Sequence, residues 1–350
     1  MKRFKTTGIC NPDTQYMVDI NDKIEQIKKL IQDEKYFIIE RPRGSGKSTI
    51  LSCLKKELIN DYLVISISFK DMSFDNGELF YKMFLNKCAK AIENLDKESS
   101  NKLLQYSTNN DSSYLRNIKK IIETCDKEVV LIIDDADTNC NNRVFVDFLG
   151  VLRCNYLERD IHNIVTFKSV IFSCVNDISN IKLENVYNSP FNIVTPFKVD
   201  LNLSKSGIES MLNIYKNDRN IELDTNKIAN FIYTYTKGYP FLVSRICQII
   251  DEDLNAVWND DNLIEAVRIL ASDKNVLFDN LISNIENNEE FRNFMYNLVM
   301  NNASHMFCVY NSLINLGIRL GCLDEVDGMV SISNIIFYQV LYKYFLNNIK

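Results

Sequence analysis

The sequence predicts an α/β protein with a parallel sheet, followed by a helical domain and a winged-helix-like domain. Two observations support this fold class. Short apolar runs alternate with helical segments up to residue 201, and such runs are typical of parallel strands that are covered on both faces. Beyond that point the strand pattern stops, and helical patterns continue with one hairpin signal among them. We therefore expect domains at 1–203, 204–273 and 274–350.

The first predicted strand leads into a Pro- and Gly-containing loop and then into a helix. Four further strands are predicted, with helices between them, and the predicted strands cover 36–39, 62–69, 129–133, 170–174 and roughly 193–201. The predicted helices of this region cover 47–58, 79–92, 114–124 and 144–158. Because ligands of parallel sheets bind at the carboxyl ends of the strands, polar residues at those ends are candidate site residues.

The second half of the chain carries helix signals. Ser204 is a predicted N-cap, and the helix that follows places Ile208, Met211, Leu212 and Tyr215 on one face. An apolar stripe at 291–299 and a segment at 310–320 predict two more helices. Leu323–Ile332 is predicted to form a hairpin around an Asp-Gly turn, before a last helix at 335–346. This order of elements predicts the winged-helix-like domain.

Composition excludes several classes of protein. A net charge of −6 and a pI near 5.2 argue against a protein whose main task is to bind nucleic acid. The ten cysteines form no CxxC pair, and with only two histidines no zinc motif is predicted. No signal peptide and no apolar run of membrane-spanning length is recognisable. We therefore expect a cytoplasmic protein without a membrane partner.

The loop Arg41–Thr49 is close to the phosphate-binding pattern G-x-x-x-x-G-K-[ST]. Glycines allow backbone N–H groups to surround phosphate oxygens, and the following helix adds its positive N-terminal end. We expect Lys47 to reach the β- and γ-phosphates of ATP and Ser48 to bind magnesium. Arg41 replaces the first glycine of the pattern. The predicted nucleotide-binding residues of this P-loop NTPase core are Arg43, Gly44, Ser45, Gly46, Lys47, Ser48 and Thr49.

Two carboxylates follow the third strand. Next to a P-loop, Asp134 is expected to hold magnesium, and Asp135 to orient the attacking water as a catalytic residue together with Lys47. An isolated Asp-Asp pair can also simply end a strand and face solvent. Asp135 is one methylene shorter than the Glu that most ATPases carry here, so binding is predicted more firmly than hydrolysis.

Polar residues also follow the fourth strand. Ser173 and Asn176 are candidate catalytic residues that would contact the γ-phosphate or the attacking water, although a polar strand-end turn explains them equally well. Arg153 and Arg159, on the helix after the carboxylates, are candidates for stabilising charge in the transition state. Solvated helix arginines are the alternative.

Several short blocks in order along the chain resemble the bacterial AAA-ATPase-like family, within the AAA+ and STAND-type P-loop ATPases. The similar blocks are Thr6–Pro12, Tyr16–Asp19, Tyr187–Asn192, Gly238–Arg245 and Ile332–Phe337. This resemblance implies an ATPase core, a helical lid and a winged-helix-like tail.

The resemblance also implies roles for residues outside the P-loop. Tyr16, Met17 and Val18 would pack on the adenine, or alternatively anchor an N-terminal arm to the core. The turn that contains Pro240 resembles a lid motif that approaches the nucleotide. Arg245 on the next helix would act as a sensor, with a lid surface charge as the alternative.

Two features depart from the family pattern. Many members have Arg-Gln-Tyr where this chain has Arg43–Ser45, so this loop is nearer the general P-loop consensus. Longer members continue into a restriction-nuclease-like domain, and no such acidic and lysine-bearing core is recognisable here. A nuclease activity is therefore expected to be absent or supplied by another chain.

Three functions remain open on the sequence alone. The first is an ATPase that acts as a nucleotide-driven switch and reports its state to a protein partner or to another copy of itself. The second is an ATP-binding regulatory module with negligible hydrolysis. The third is a winged-helix DNA-binding regulator, which is weakly supported because basic and acidic residues are equally numerous from residue 301 onward.

Overall fold

The structure, a computed structural model, describes residues 2–108, 121–138, 142–162, 165–176, 178 and 191–348. The chain divides into two compact units. The first, here the helical unit, contains Met1–Ile20, the phosphate loop Arg41–Thr49 and Asp200–Lys350. The second, here the sheet unit, contains Asn21–Glu40 and Ile50–Val199. The division into three sequence domains stays a prediction.

The sheet unit is built on four parallel strands in the order β1-β4-β3-β2. The strands are β1 Phe37–Glu40, β2 Leu63–Ser68, β3 Val129–Asp134 and β4 Ser169–Cys174. Alternate residues of β3, namely Val129, Leu131 and Ile133, enter one apolar cluster, while Val130 and Ile132 are buried on the other face. Both faces are therefore covered, as the continuous apolar runs predict.

The predicted fifth strand is wrong in extent. Among the described residues, a single parallel bridge, Phe37↔Thr195, adds to the edge of β1. The Thr195 N–H donates to the Tyr36 carbonyl over 2.9 Å. Pro196 follows directly. Because proline has no N–H to donate, it interrupts the pairing that a longer strand would need.

Five helices are described from end to end in the first 200 residues. They are α1 Asn21–Gln32, α2 Lys47–Leu58, α3 Gly77–Ile92, α4 Lys97–Thr108 and α5 Arg143–His162. Helix α4 was not predicted, because its sequence is polar. Asp96 accepts a hydrogen bond from the Ser99 N–H over 2.9 Å and so caps its start. The predicted helix at 114–124 lies largely outside the described residues, and its described part, 121–124, is helical.

The helical unit follows the predicted order of elements. Its helices are α6 Lys205–Arg219, α7 Thr225–Thr236, α8 Pro240–Gln248, α9 Asp260–Leu270, α10 Val276–Asn287, α11 Glu289–Met300, α12 Ser312–Arg319 and α13 Ile335–Asn347, with a π-helical turn Ile249–Asp253 after α8. Ser204 is the N-cap of α6 and accepts the Gly207 N–H over 3.1 Å, as predicted. The four predicted apolar residues of α6 are all buried.

The predicted hairpin is present as β5 Leu323–Val326 and β6 Met329–Ile332. Asp327 and Gly328 form the turn between them, with φ of 52° and 77°. Residues of α6 to α13, β5 and β6 share one apolar cluster with Phe4, Tyr16 and Val18. The predicted fold class is confirmed. Within the described residues, no helix combines the length and apolarity needed to cross a membrane.

Candidate functional site

The phosphate loop connects β1 to α2, as its motif predicts. Gly44 and Gly46 have φ of 75° and 85°, in the left-handed region that other residues avoid. The Lys47 Nζ donates to the carbonyl oxygens of Arg41 and Pro42, at 2.7 and 3.0 Å. The lysine side chain therefore folds back over the start of its own loop.

Hydrogen bonds also hold other residues of the loop. Ser45 is buried, and its hydroxyl donates to the Pro42 carbonyl over 2.8 Å. The Thr49 hydroxyl accepts the Cys10 N–H over 3.1 Å, so the N-terminal segment contacts the first turn of α2. Arg43 is exposed, whereas Ser48 is half-buried. Two left-handed glycines, a lysine and a serine at a helix N-terminus form a donor set that suits a phosphate chain with its metal ion.

The turn before α8 lies against the phosphate loop. The Phe241 N–H donates to the Gly44 carbonyl over 3.1 Å, and the Tyr239 hydroxyl donates to the Arg43 carbonyl. Pro240, which the resemblance placed near the nucleotide, lies beside Gly46, since a Cβ added to that glycine would be 3.7 Å from the proline Cγ. Tyr239 and Phe241 were not predicted as site residues. Their position directly around Pro240 was the only sequence signal.

Two residues with roles implied by resemblance lie elsewhere in the helical unit. Arg245 makes an ion pair with Asp273, with its Nε and Nη2 3.0 and 2.9 Å from Oδ2. Tyr16 is buried between aromatic rings, with centroids 4.9 Å from Phe4 and 5.2 Å from Tyr215. Desolvation raises the pKa of the Tyr16 hydroxyl. Adenine packing by Tyr16 and sensing by Arg245 stay predictions.

The carboxylates end β3 in the sheet unit. Asp134 is the last residue of the strand and pairs in register with Ser68 of β2. Asp135 has a φ of 53°, so the backbone leaves the extended conformation at this residue. The Asp135 side chain is therefore not bound to the alternation of side chains along β3. The Asp135 N–H donates to the Asp134 Oδ1 over 3.1 Å, and the Ser68 hydroxyl donates to the Asp135 Oδ2 over 3.0 Å.

A third carboxylate, Asp137, organises the end of β4. Its Oδ2 accepts the backbone N–H groups of Val175 and Asn176, at 3.2 and 2.9 Å, and the Asn176 side-chain amide at 2.8 Å. The Ser173 hydroxyl is fully buried and finds no hydrogen-bond partner within the described part of the chain. Ser68 and Asp137 were not singled out, although both lie near the carboxyl ends of predicted strands, where polar residues are candidates. The adjacency of β2, β3 and β4 brings them to the predicted residues.

The candidate arginines of α5 are engaged in other contacts. The Arg153 Nε donates to the Asn192 Oδ1 over 2.7 Å. Arg159 pairs with Glu34 over 3.2 Å and lies 4.6 Å from the centroid of the Tyr156 ring. Glu34 precedes β1, so Arg159 lies where the strands begin and not at their carboxyl ends. The expectation that Arg159 stabilises charge beside the carboxylates is therefore not supported by its position.

The fold has known counterparts among solved structures. A Walker-type ATPase of Pyrococcus abyssi is similar over 97% of this chain and 99% of that chain, with 12% identity and a TM-score of 0.66. The chain has the fold of a P-loop ATPase. The RuvB Holliday junction branch migration motor of Thermotoga maritima covers 94% of both chains, with 13% identity and a TM-score of 0.44. Cdc6p of Pyrobaculum aerophilum is similar over 99% of this chain and 98% of that chain, with 13% identity and a TM-score of 0.43.

Sequence comparison gives no counterpart. No family model matches the chain, and no curated protein is significantly similar to it in sequence. At 12–13% identity, the likeness to solved structures concerns the fold alone. Function must therefore be argued from the residues of this P-loop ATPase fold.

Proposed function

We propose that this protein is an AAA+/STAND-type ATPase that binds ATP with magnesium and acts as a nucleotide-driven switch. The phosphate loop carries the proposal. It combines left-handed Gly44 and Gly46 with Lys47 and Ser48 at the start of α2, directly after a strand of a parallel sheet. Backbone N–H groups in such a loop, together with the helix dipole, favour a phosphate chain.

Each predicted residue has a distinct task in this proposal. The Lys47 amine exchanges its bonds to the Arg41 and Pro42 carbonyls for bonds to phosphate oxygens, which are stronger because the acceptor is charged. The Ser48 hydroxyl and the Asp134 carboxylate hold magnesium, whose charge offsets that of the phosphates. Asp135 accepts a proton from, or orients, the attacking water.

The switch in this proposal is the turn before α8. Because Phe241 and Tyr239 donate hydrogen bonds to carbonyls of the phosphate loop, a rearrangement of the loop changes the contacts of α8. The Tyr239 ring also packs edge-on against Phe337 of α13, with centroids 5.8 Å apart. The state of the loop is thereby linked to the C-terminal helix through buried side chains.

One observation favours the alternative, an ATP-binding module with negligible hydrolysis. The Asp135 carboxylate already accepts a hydrogen bond from Ser68, which competes for the oxygen that would receive a proton. Measured turnover, with and without partners, separates this alternative from the ATPase.

Replacement of Lys47 by alanine tests nucleotide binding. We expect Lys47→Ala to abolish ATP binding, because the variant lacks the cation that faces the terminal phosphates. Lys56→Ala is the matched control, since Lys56 is an exposed lysine on the same helix. Binding is measured by calorimetry with Mg·ATP, and folding by circular dichroism. Unchanged affinity in a folded Lys47→Ala variant would refute the assignment of the phosphate loop.

A further inference from the structure

The winged-helix-like region exposes a row of apolar side chains. In the antiparallel register of the hairpin, Val326 of β5 lies opposite Met329 of β6. Met329 in turn forms an antiparallel bridge with Met306 on its other side. Directly opposite residues of paired strands point to the same face, so Met306, Met329 and Val326 form one row across the sheet. We call these three side chains the wing face.

The wing face is open to solvent. The relative exposures are 79% for Met306, 37% for Met329 and 52% for Val326. The opposite face of the hairpin contains Leu323 and Val330, which are buried in the core of the helical unit. The core therefore takes one face of the hairpin and leaves the apolar row on the other. Contiguous exposed apolar side chains are candidates for an interaction surface.

Strand β5 also offers an edge. Strand β6 lies between β5 and the Met306 bridge, so β5 is the outer strand among the described elements. Val326 and Met329 flank a two-residue turn and form a hydrogen-bonded pair. Glu325, which precedes Val326, lies opposite Val330, whose N–H donates to the His305 carbonyl on the far side of β6. The backbone groups of Glu325 therefore point away from β6, toward the open edge. An extended segment can pair with such an edge.

The charge of the hairpin selects the kind of partner. Leu323–Ile332 contains Asp324, Glu325 and Asp327 and has no lysine or arginine. All three are exposed residues, although the Asp324 carboxyl is partly desolvated by its surroundings. Phosphate groups of nucleic acids and anionic lipids are repelled by such a surface. A second copy of this acidic chain would bring like charges together, which disfavours self-association here.

We propose that β5 and the wing face bind an extended segment of a partner protein in which apolar and basic residues alternate. In a strand paired with β5, successive side chains point to opposite faces. Its apolar residues then lie beside Val326 and extend the wing face. Its Lys or Arg residues lie on the face that carries Glu325, which is exposed although Leu323 and Val330 of the same face are buried. Opposite charges stabilise such a cross-strand pair. The proposed site uses residues other than those assigned to nucleotide binding, although Arg41 of the phosphate loop interacts electrostatically with Asp324 of β5.

A pair of synthetic peptides tests the proposal on the full-length protein. One peptide alternates valine with lysine over eight residues, and the other alternates valine with glutamate. We expect the lysine peptide to bind, measured by fluorescence anisotropy, and the glutamate peptide to bind at least about tenfold more weakly. Hydrogen exchange should show protection of the amides of Asp324–Val326 by the lysine peptide. No binding of the lysine peptide, or equal binding of both, overturns the proposal.

Variants locate the binding site. Val326→Thr with Met329→Thr keeps β-forming side chains but makes the wing face polar, and we expect about tenfold weaker binding. Val276→Thr is the matched control, because Val276 is 69% exposed at the start of α10, outside the hairpin. Glu325→Lys should reverse the preference toward the glutamate peptide. Unchanged binding in both hairpin variants, or dimerisation that the Thr variant abolishes, would overturn the assignment of a basic protein partner.

Discussion

Two glycines of the phosphate loop permit a matched test of the contact between the loop and the turn before α8. Alanine at either position is strained by about 1–2 kcal/mol, because both glycines have positive φ. The space around them differs. A Cβ on Gly44 would lie 2.9 Å from the Phe241 Cβ, whereas a Cβ on Gly46 would lie 3.7 Å from the Pro240 Cγ, in ordinary contact.

The expected magnitudes follow from these distances. Gly46→Ala should cost only the backbone term, about 1–2 kcal/mol. Gly44→Ala should cost about 1–3 kcal/mol more from overpacking, and further stability as the bond from the Phe241 N–H to the Gly44 carbonyl stretches. For a unit of this size, 1 kcal/mol shifts Tm by roughly 2–4 °C. We therefore expect Gly44→Ala to melt about 2–12 °C below Gly46→Ala.

The assay is thermal unfolding without nucleotide, followed by circular dichroism. A double-mutant cycle isolates the contact, because Phe241→Gly removes the Cβ against which the new methyl group would collide. In that background Gly44→Ala should cost no more than Gly46→Ala. Equal melting temperatures of the two single variants would refute the contact between Phe241 and Gly44, and with it the structural basis of the proposed switch.

Three further outcomes are expected. Asp135→Asn should bind Mg·ATP normally but release phosphate about a hundredfold more slowly, as expected for a positioned general base, while Asp134→Asn should weaken magnesium-dependent binding itself. Desolvation and the charge of Asp200, opposed by Arg41, raise the pKa of Asp324 to about 6. Between pH 4 and 6 the folded state therefore holds a proton on Asp324 that the unfolded state has lost. The stability that this group contributes is lost as the pH rises from 4 to 6. Asp324→Asn should therefore raise Tm at pH 7.5 but not at pH 4. DNA binding should be weak and strongly salt-dependent at most, because the chain is acidic.

Each of these outcomes can be contradicted by one measurement. Turnover of Asp135→Asn at the wild-type rate would remove that residue from the chemistry. Wild-type turnover no higher than that of buffer, even with partners present, would favour the ATP-binding module. An equal Tm difference for Asp324→Asn at both pH values would contradict the raised pKa. Nanomolar binding to one DNA duplex at physiological salt would favour a DNA-binding regulator.

The sequence by itself determined the parts of the molecule that depend on local pattern. The apolar runs of β1 to β4, the Ser204 cap and the Asp-Gly hairpin are set by strand periodicity, capping chemistry and turn chemistry, which act over a few residues. The phosphate loop belongs to the same class, since its glycines and Lys47 are contiguous. The local pattern did not predict the length of the fifth strand, because that length depends on backbone pairing with β1. Pro196 cannot donate to such a pairing, and a single bridge remains.

Only the tertiary structure decided which distant residues surround the predicted ones. Ser68 and Asp137 meet Asp135 and Asn176 because β2, β3 and β4 are adjacent in the sheet, an order that no local pattern specifies. The hydrogen bond from Tyr239 to the Arg43 carbonyl likewise joins residues that are 196 positions apart. Such contacts form because the chain folds so that whole apolar faces are buried. The free energy of that burial is a sum over many core residues, so no single position in the sequence encodes it.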